Sequence, residues 1–161
     1  MSIKFIRIDD RLIHGQVVTA WIKTYQAKKI LIIDDIVAKD EFLKNVLKMV
    51  KPSGVDLIIK GTEHLDETIQ AIEENKANAI LLMKTPDTAK KVFESPVLLK
   101  ELNVGGMGAN AKREALYKNV SASKEEVAIL KEIEEMGVKV YFQATPNDKQ
   151  IELHSLIKGG L

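Results

Sequence analysis

Short apolar runs alternating with longer stretches of helical periodicity constrain this chain more than any other feature. The runs are Ile3–Ile8, Ile30–Ile33, Val55–Ile59, Ala79–Met83, Leu102–Val104 and Val138–Phe142. They are rich in Ile, Leu and Val and bounded by Gly, Asp, Asn or Lys, as strands buried on both faces are. Between them, Val17, Ala20, Trp21, Thr24 and Tyr25 share one helical face, and Phe42, Val46, Met49 and Val50 share another. Leu65, Ile69 and Ile72 repeat the pattern, as do Val127, Leu130 and Ile133. Thr62 is placed to cap a helix over 63–75. Ser123 is placed to cap one over 124–136, with Glu126 completing a capping box and Gly137 ending it. Asp148–Ile157 reads as a short last helix. Strand–helix alternation along the chain predicts βαβ units. The expected fold is α/β, one domain over 1–161, with a mainly parallel β-sheet flanked by helices on both faces.

Sites in such folds form where strands end and helices begin. The first such turn, Asp9–Gly15 (DDRLIHG), holds three charged residues, a histidine and a glycine. A helix starting at Gly15 or Gln16 presents unpaired N–H groups and a positive dipole end, a ready anion site. Gly15 lets the backbone approach a ligand closely. Arg11 adds a forked cation suited to phosphate oxygens. His14 can serve as base, metal ligand or nucleophile. Asp9 or Asp10 can hold Arg11 or fix the tautomer of a ring. A histidine nucleophile among anion-binding groups is suited to carrying a phosphoryl group on an imidazole nitrogen.

Several other chemistries are disfavoured. The chain has no cysteine, so thiolate catalysis, disulfides and Cys-based zinc sites are out. His64 and His154 lack paired ligand spacing, and no metal is expected. Lys and Arg number 24 against 23 Asp and Glu, and no basic cluster with interleaved aromatics occurs, so no nucleic acid is expected. No stretch approaches the roughly 20 apolar residues that span a bilayer. A soluble chain is expected, reaching any membrane through a partner.

The stretch IDDRLIHGQV, Ile8–Val17, resembles the active-site motif of the IIB subunit of the mannose/fructose/sorbose family of the bacterial phosphotransferase system. NVGGM, Asn103–Met107, is similar to that family's glycine-rich loop, and LLMKTPDTA, Leu81–Ala89, to its third conserved block. The resemblance spans nearly the whole chain. It implies that a phosphoryl group passes from a histidine of IIA to a histidine here, then to the 6-hydroxyl of a sugar held by the IIC–IID membrane complex. The family's phosphorylated histidine falls on His14, with phosphate on Nδ1, and its motif Asp and Arg fall on Asp10 and Arg11. The family uses no nucleotide, metal or flavin in these steps, so no cofactor is expected. IIA is expected as a separate partner, a homodimer is compatible with the family, and the location is cytoplasmic, held at the membrane through IIC–IID.

Gly15, Gln16, Gly105 and Gly106 are the expected phosphate-binding positions, with Gly108 near them; a plain tight turn is the competing role for these glycines. Asp34 and Asp35 suit a structural or rim role, and Lys84 and Thr85 a solvated loop. His64 and His154 are expected on the surface of helices, and Trp21 in the core. The alternative function is a nucleotide- or cofactor-binding α/β domain. Against it, no GxGxxG follows the first strand and no GxxxxGK[ST] occurs.

Overall fold

The computed structural model describes residues 1–157. Its elements run in the order β1 (Ile3–Asp9), α1 (Gly15–Tyr25), β2 (Lys29–Ile33), α2 (Asp35–Ala38), α3 (Glu41–Val50), β3 (Asp56–Lys60), α4 (Leu65–Glu74), β4 (Ala79–Met83), α5 (Pro86–Glu94), β5 (Glu101–Gly106), β6 (Glu114–Tyr117), β7 (Val120–Ala122), α6 (Lys124–Glu135), β8 (Lys139–Phe142), β9 (Ile151–Glu152) and α7 (Leu153–Ile157). A seven-stranded sheet has the order β3-β2-β4-β1-β5-β8-β9. Its pairs are parallel except β8 with β9. Every strand anticipated from an apolar run is present.

Alternation along the strands divides the core in two. Ile8, Leu31, Ile33, Leu81 and Met83 point to one face, where α4, α5 and α6 cover them with Ile69, Val92, Phe93, Leu130 and Ile133. Phe5, Ile30, Ile32, Ile80 and Leu82 point to the other, under α1, α2 and α3 with Val18, Trp21, Val37 and Leu47. Chain direction sets this partition. β1→β2 and β2→β3 step one way across the sheet and put their helices on one face. β3→β4 and β4→β5 step the other way and put theirs on the opposite face, as right-handed crossovers require. β1 and β5 are neighbours, so the strand order reverses beside β1. That is the place where a doubly wound sheet opens a crevice.

Four local expectations are revised. Thr62 does not cap α4: its hydroxyl and N–H bond the Asp35 carboxylate, and α4 starts after His64, which holds a positive φ of 58° without a side-chain cap. The face of α3 made by Phe42, Val46, Met49 and Val50 is exposed, and Leu47 is the buried residue of that helix. The last segment is a two-residue strand before its short helix. The hairpin β6–β7 was not expected, being short and half-exposed. Ser123 does form its capping box with Glu126, and Gly137 follows α6 at a φ of +90°.

Candidate active site

β1 carries two charges into the interior. Arg7 and Asp9 lie on the α1 side of the strand and are each 1% exposed. Buried charge is tolerable only when paired and hydrogen-bonded. Arg7 meets that condition through three strands. Nη2 donates to Asp9 Oδ2 at 3.0 Å, and Nη1 donates to Asn103 Oδ1 at 2.7 Å and to the Gln143 carbonyl at 3.1 Å. Its guanidinium also lies over the Trp21 ring, 5.7 Å from the centroid. Trp21 stacks on Phe5 and donates its indole N–H to the Ala144 carbonyl at 3.2 Å, the core position expected of it.

Asp9 is then held from the opposite side by Arg11. The Arg11 backbone N–H and Nε each reach Oδ1 at 3.1 Å, and Nη2 reaches Oδ2 at 3.2 Å. Burial pushes the Asp9 carboxyl pKa up, but the bonds and charges of Arg11 and Arg7 outweigh it, and the group sits below the ordinary carboxyl range. Burial lowers the pKa of Arg7, opposed by Asp9, and a guanidinium stays charged in any case. The three groups together carry +2 − 1 = +1, so the floor of the turn is cationic.

His14 stands above that floor. Its Nε2 is buried and points at Asp9 Oδ2, 3.5 Å away, too far for a good hydrogen bond. Among the described residues nothing bonds Nδ1, which is the nitrogen left accessible on a side chain 28% exposed. The backbone puts the ring there by two unusual residues. Leu12 is buried at a φ of +56°, and Gly15 opens α1 at +50°, a conformation that glycine takes without a Cβ penalty. His14 does not cap α1 with its side chain. The first N–H groups of α1, from Gly15 and Gln16 onward, therefore face outward beside the imidazole.

The structure separates the two aspartates. Asp9 is the carboxylate beside His14 and Arg11. Asp10 turns to the loop after β5, accepting the Gly108 N–H at 2.7 Å and facing Arg113 Nη1 at 3.5 Å. Arg113 is itself clamped by Glu126, Nε to Oε1 at 2.8 Å and Nη2 to Oε2 at 2.9 Å. Those bonds raise the Arg113 pKa. Burial pushes Glu126 up, but Arg113 brings it below the ordinary range. Asp10 thus ties the first turn to the glycine loop and to the start of α6.

Gly105 and Gly106 belong to the end of β5, not to a loop beyond it. Their smallness has a local cause. A Cβ on Gly105 would lie 1.9 Å from the Arg7 guanidinium carbon, and one on Gly106 would meet Arg11 Nη2 and Asp9 Oδ1 at 3.1 Å. They are the bed on which the arginines lie. Asp34 and Thr85 act as helix caps, accepting the N–H of Val37 and of Thr88. His64 and His154 are exposed beside glutamates. An open groove of about 740 Å³ lined by Asp87, Asn110, Lys112, Arg113, Lys124 and Glu126 lies on the far side of Arg113, and its lining does not include His14. Among the described residues, no three His, Cys, Asp or Glu come together as a metal site. Among the described residues, no helix is long and apolar enough to cross a membrane.

A reversing parallel sheet with an accessible imidazole on a cationic floor, at a helix N-terminus, defines an α/β protein suited to receiving an anionic group beside a nucleophile. The chain belongs to the family described as PTS system sorbose subfamily IIB component, whose model matches residues 3–160. It is 30% identical to the PTS system fructose-specific EIIB component of Bacillus subtilis, over 98% of this chain and 97% of that one. It is 28% identical to the mannose-specific EIIAB component of Escherichia coli K12, over 98% of this chain and 49% of that longer one. The solved IIBSor domain of the sorbose permease of Klebsiella pneumoniae superimposes with a TM-score of 0.93 at 28% identity, covering 100% of this chain and 99% of that one. The protein is a sugar-specific phosphotransferase component, acting with IIA and with membrane components of the same system.

Proposed function

We propose that His14 carries the phosphoryl group on Nδ1, receiving it from a histidine of IIA and passing it to the 6-hydroxyl of a sugar held by a IIC–IID complex. One observation carries this reading: Nε2 is turned inward to Asp9 and Nδ1 is left accessible. With a proton on Nε2 facing the carboxylate, Nδ1 holds the lone pair that attacks phosphorus. As the new N–P bond forms and the donor's P–N bond breaks, the ring becomes positive, and the Asp9 carboxylate balances it. On discharge the N–P bond breaks, a sugar O–P bond forms and the hydroxyl proton leaves to solvent. Transfer of this kind needs positioning and charge stabilisation more than covalent help. Arg11 and the N–H groups of Gly15 and Gln16 supply it, while Asp10, Gly105 and Gly106 hold the surroundings in place.

The open setting of His14 suits a residue met in turn by two macromolecules. Such a protein works in the cytoplasm and docks at the membrane through IIC–IID. Assigning the phosphorylated nitrogen by ¹⁵N NMR tests the reading. Attachment at Nδ1 is expected, and attachment at Nε2 would overturn it.

Arg11 is about half exposed and lies within reach of the ring. Replacing it with Ala should slow transfer from phosphorylated IIA by about 10²–10³, because helix N–H groups share the task. Arg11→Lys keeps the charge without the fork and should recover only part of the loss. Stability should fall by about 1–3 kcal/mol, because buried Asp9 loses the Arg11 side chain but keeps Arg7 and the backbone N–H of residue 11. Rapid-quench transfer beside thermal unfolding measures both. Normal transfer with a large drop in melting temperature would make Arg11 structural.

A further inference from the structure

β3 is an edge strand of the sheet, bonded to β2 on one side only. Its sequence is Asp56-Leu57-Ile58-Ile59-Lys60. The Asp56 N–H donates to the Lys28 carbonyl on the β2 side, and the Lys60 carbonyl accepts the Asp34 N–H that follows β2. By strand alternation, Ile58 also turns its backbone groups to β2, and Leu57 and Ile59 turn theirs outward. Among the described residues these outward groups have no partner in the sheet. Edge strands are usually blunted by charge, bulges or a covering element. Here the only charges are at the two ends, and they have opposite signs. Among the described residues neither Asp56 nor Lys60 forms an ion pair within the chain.

The geometry points to a second copy of this chain as the occupant of that edge. An antiparallel pairing about a two-fold axis through Ile58 places Leu57 opposite Ile59 of the other copy. The outward N–H and C=O groups of both residues then bond in hydrogen-bonded pairs. The same register brings Asp56 opposite Lys60 twice, as non-hydrogen-bonded pairs, where facing side chains come closest. Moving the axis to Leu57 or Ile59 keeps the outward groups facing but separates the charges. The strand is thus self-complementary in one register, as an isologous contact must be.

α3 lies on the sheet face beside this edge and carries an exposed apolar stripe. α3 is the outermost helix on the sheet face that receives Leu57 and Ile59, because it connects β2 to the edge strand. Phe42 is 74% exposed and Met49 84%, and Val46 and Val50 complete the stripe. This stripe lies roughly a quarter turn around the helix from the buried Leu43–Leu47 line. A second copy joined through β3 brings its own α3 to the same side of the joined sheet, across the two-fold. One short strand pair with these stripes is small beside the roughly 800 Å² per partner of a standard interface, so the dimer is weak.

Sedimentation from about 10 μM to about 1 mM tests this. The wild type should pass from monomer to dimer in that range, and amide exchange at Leu57 and Ile59 should slow as it does, with Ile58 unchanged. Asp56→Lys puts lysines opposite each other at both ends, and Lys60→Asp puts aspartates there. Each alone should weaken association about tenfold or more. An equimolar mixture of the two variants restores both opposite-charge pairs and should associate as the wild type does. The substitutions are on exposed residues, so circular dichroism should be unchanged. A wild type that stays monomeric, single variants that dimerise normally, or a mixture no better than its parts would each overturn the proposal.

Discussion

Incubated with phosphorylated IIA, the His14→Ala chain should take up no phosphate, and His64→Ala and His154→Ala should take up as much as the wild type. The contrast follows from surroundings. His14 faces a floor of two guanidinium groups on one carboxylate and adjoins the N-terminus of an 11-residue helix. A phosphoryl group brings about −1.5 to −2 of charge, which such a place offsets. His64 instead lies 3.5 Å from Glu63 and 3.8 Å from Glu67, and His154 3.5 Å from Glu134. An added dianion would be repelled at either. Without His14 the site keeps its charges but loses the nucleophile, so the loss should be complete rather than graded. Label on the wild-type chain should be acid-labile and alkali-stable, as a P–N bond is. Label retained on His14→Ala would move the carrier role elsewhere.

The largest loss of stability is expected from a single methyl group. In Gly105→Ala the new Cβ would sit 1.9 Å from the Arg7 guanidinium carbon and within 2.3 Å of both terminal nitrogens. Neither side can yield easily: β5 is paired on both edges, and Arg7 is fixed by Asp9, Asn103 and Gln143. Displacing Arg7 leaves buried donors and a buried carboxylate short of partners. Breaking a buried pair this way costs about 3–5 kcal/mol. Urea unfolding should show a loss of that size in Gly105→Ala, and Arg7→Met should lose a similar amount by removing the cation itself. The double variant should lose less than the sum, because the methyl group then has no guanidinium to displace. Gly105→Ala stability within about 0.5 kcal/mol of the wild type would show that the arginine moves aside at little cost.

The sheet was legible because β1 to β5 and β8 each centre on a short apolar run, and runs of that length alternating with helical periodicity fit buried parallel strands. The site was legible as a place but not in its wiring. Asp9 and Asp10 are adjacent and chemically identical on paper. The strand's alternation buries one beside Arg7 and turns the other to Gly108, a distinction that needs the neighbouring strands. Arg7 did leave a trace: it is one of two cations in the run Ile3–Ile8, with Lys4 near the strand's start, and a cation deep in such a run requires a buried partner. Arg113 and Glu126 left none, since their link to Asp10 spans about a hundred residues. For α3, periodicity identified a stripe and could not say whether the stripe met the core or solvent. β6 and β7 were hidden by their length, four and three residues, and by the exposed first half of β6.

The bonds that fix Arg7 join positions 96 and 136 residues apart in the chain. A ribosome must therefore release nearly the whole polypeptide before the floor beneath His14 can exist. A nascent chain ending before Asn103 possesses the histidine, the arginines and Asp9, yet lacks the β5 and β8 contacts that hold Arg7 against Asp9. With His14 as the proposed carrier, uptake of label should therefore report complete folding as well as chemistry, and chains truncated before Asn103 should take up none.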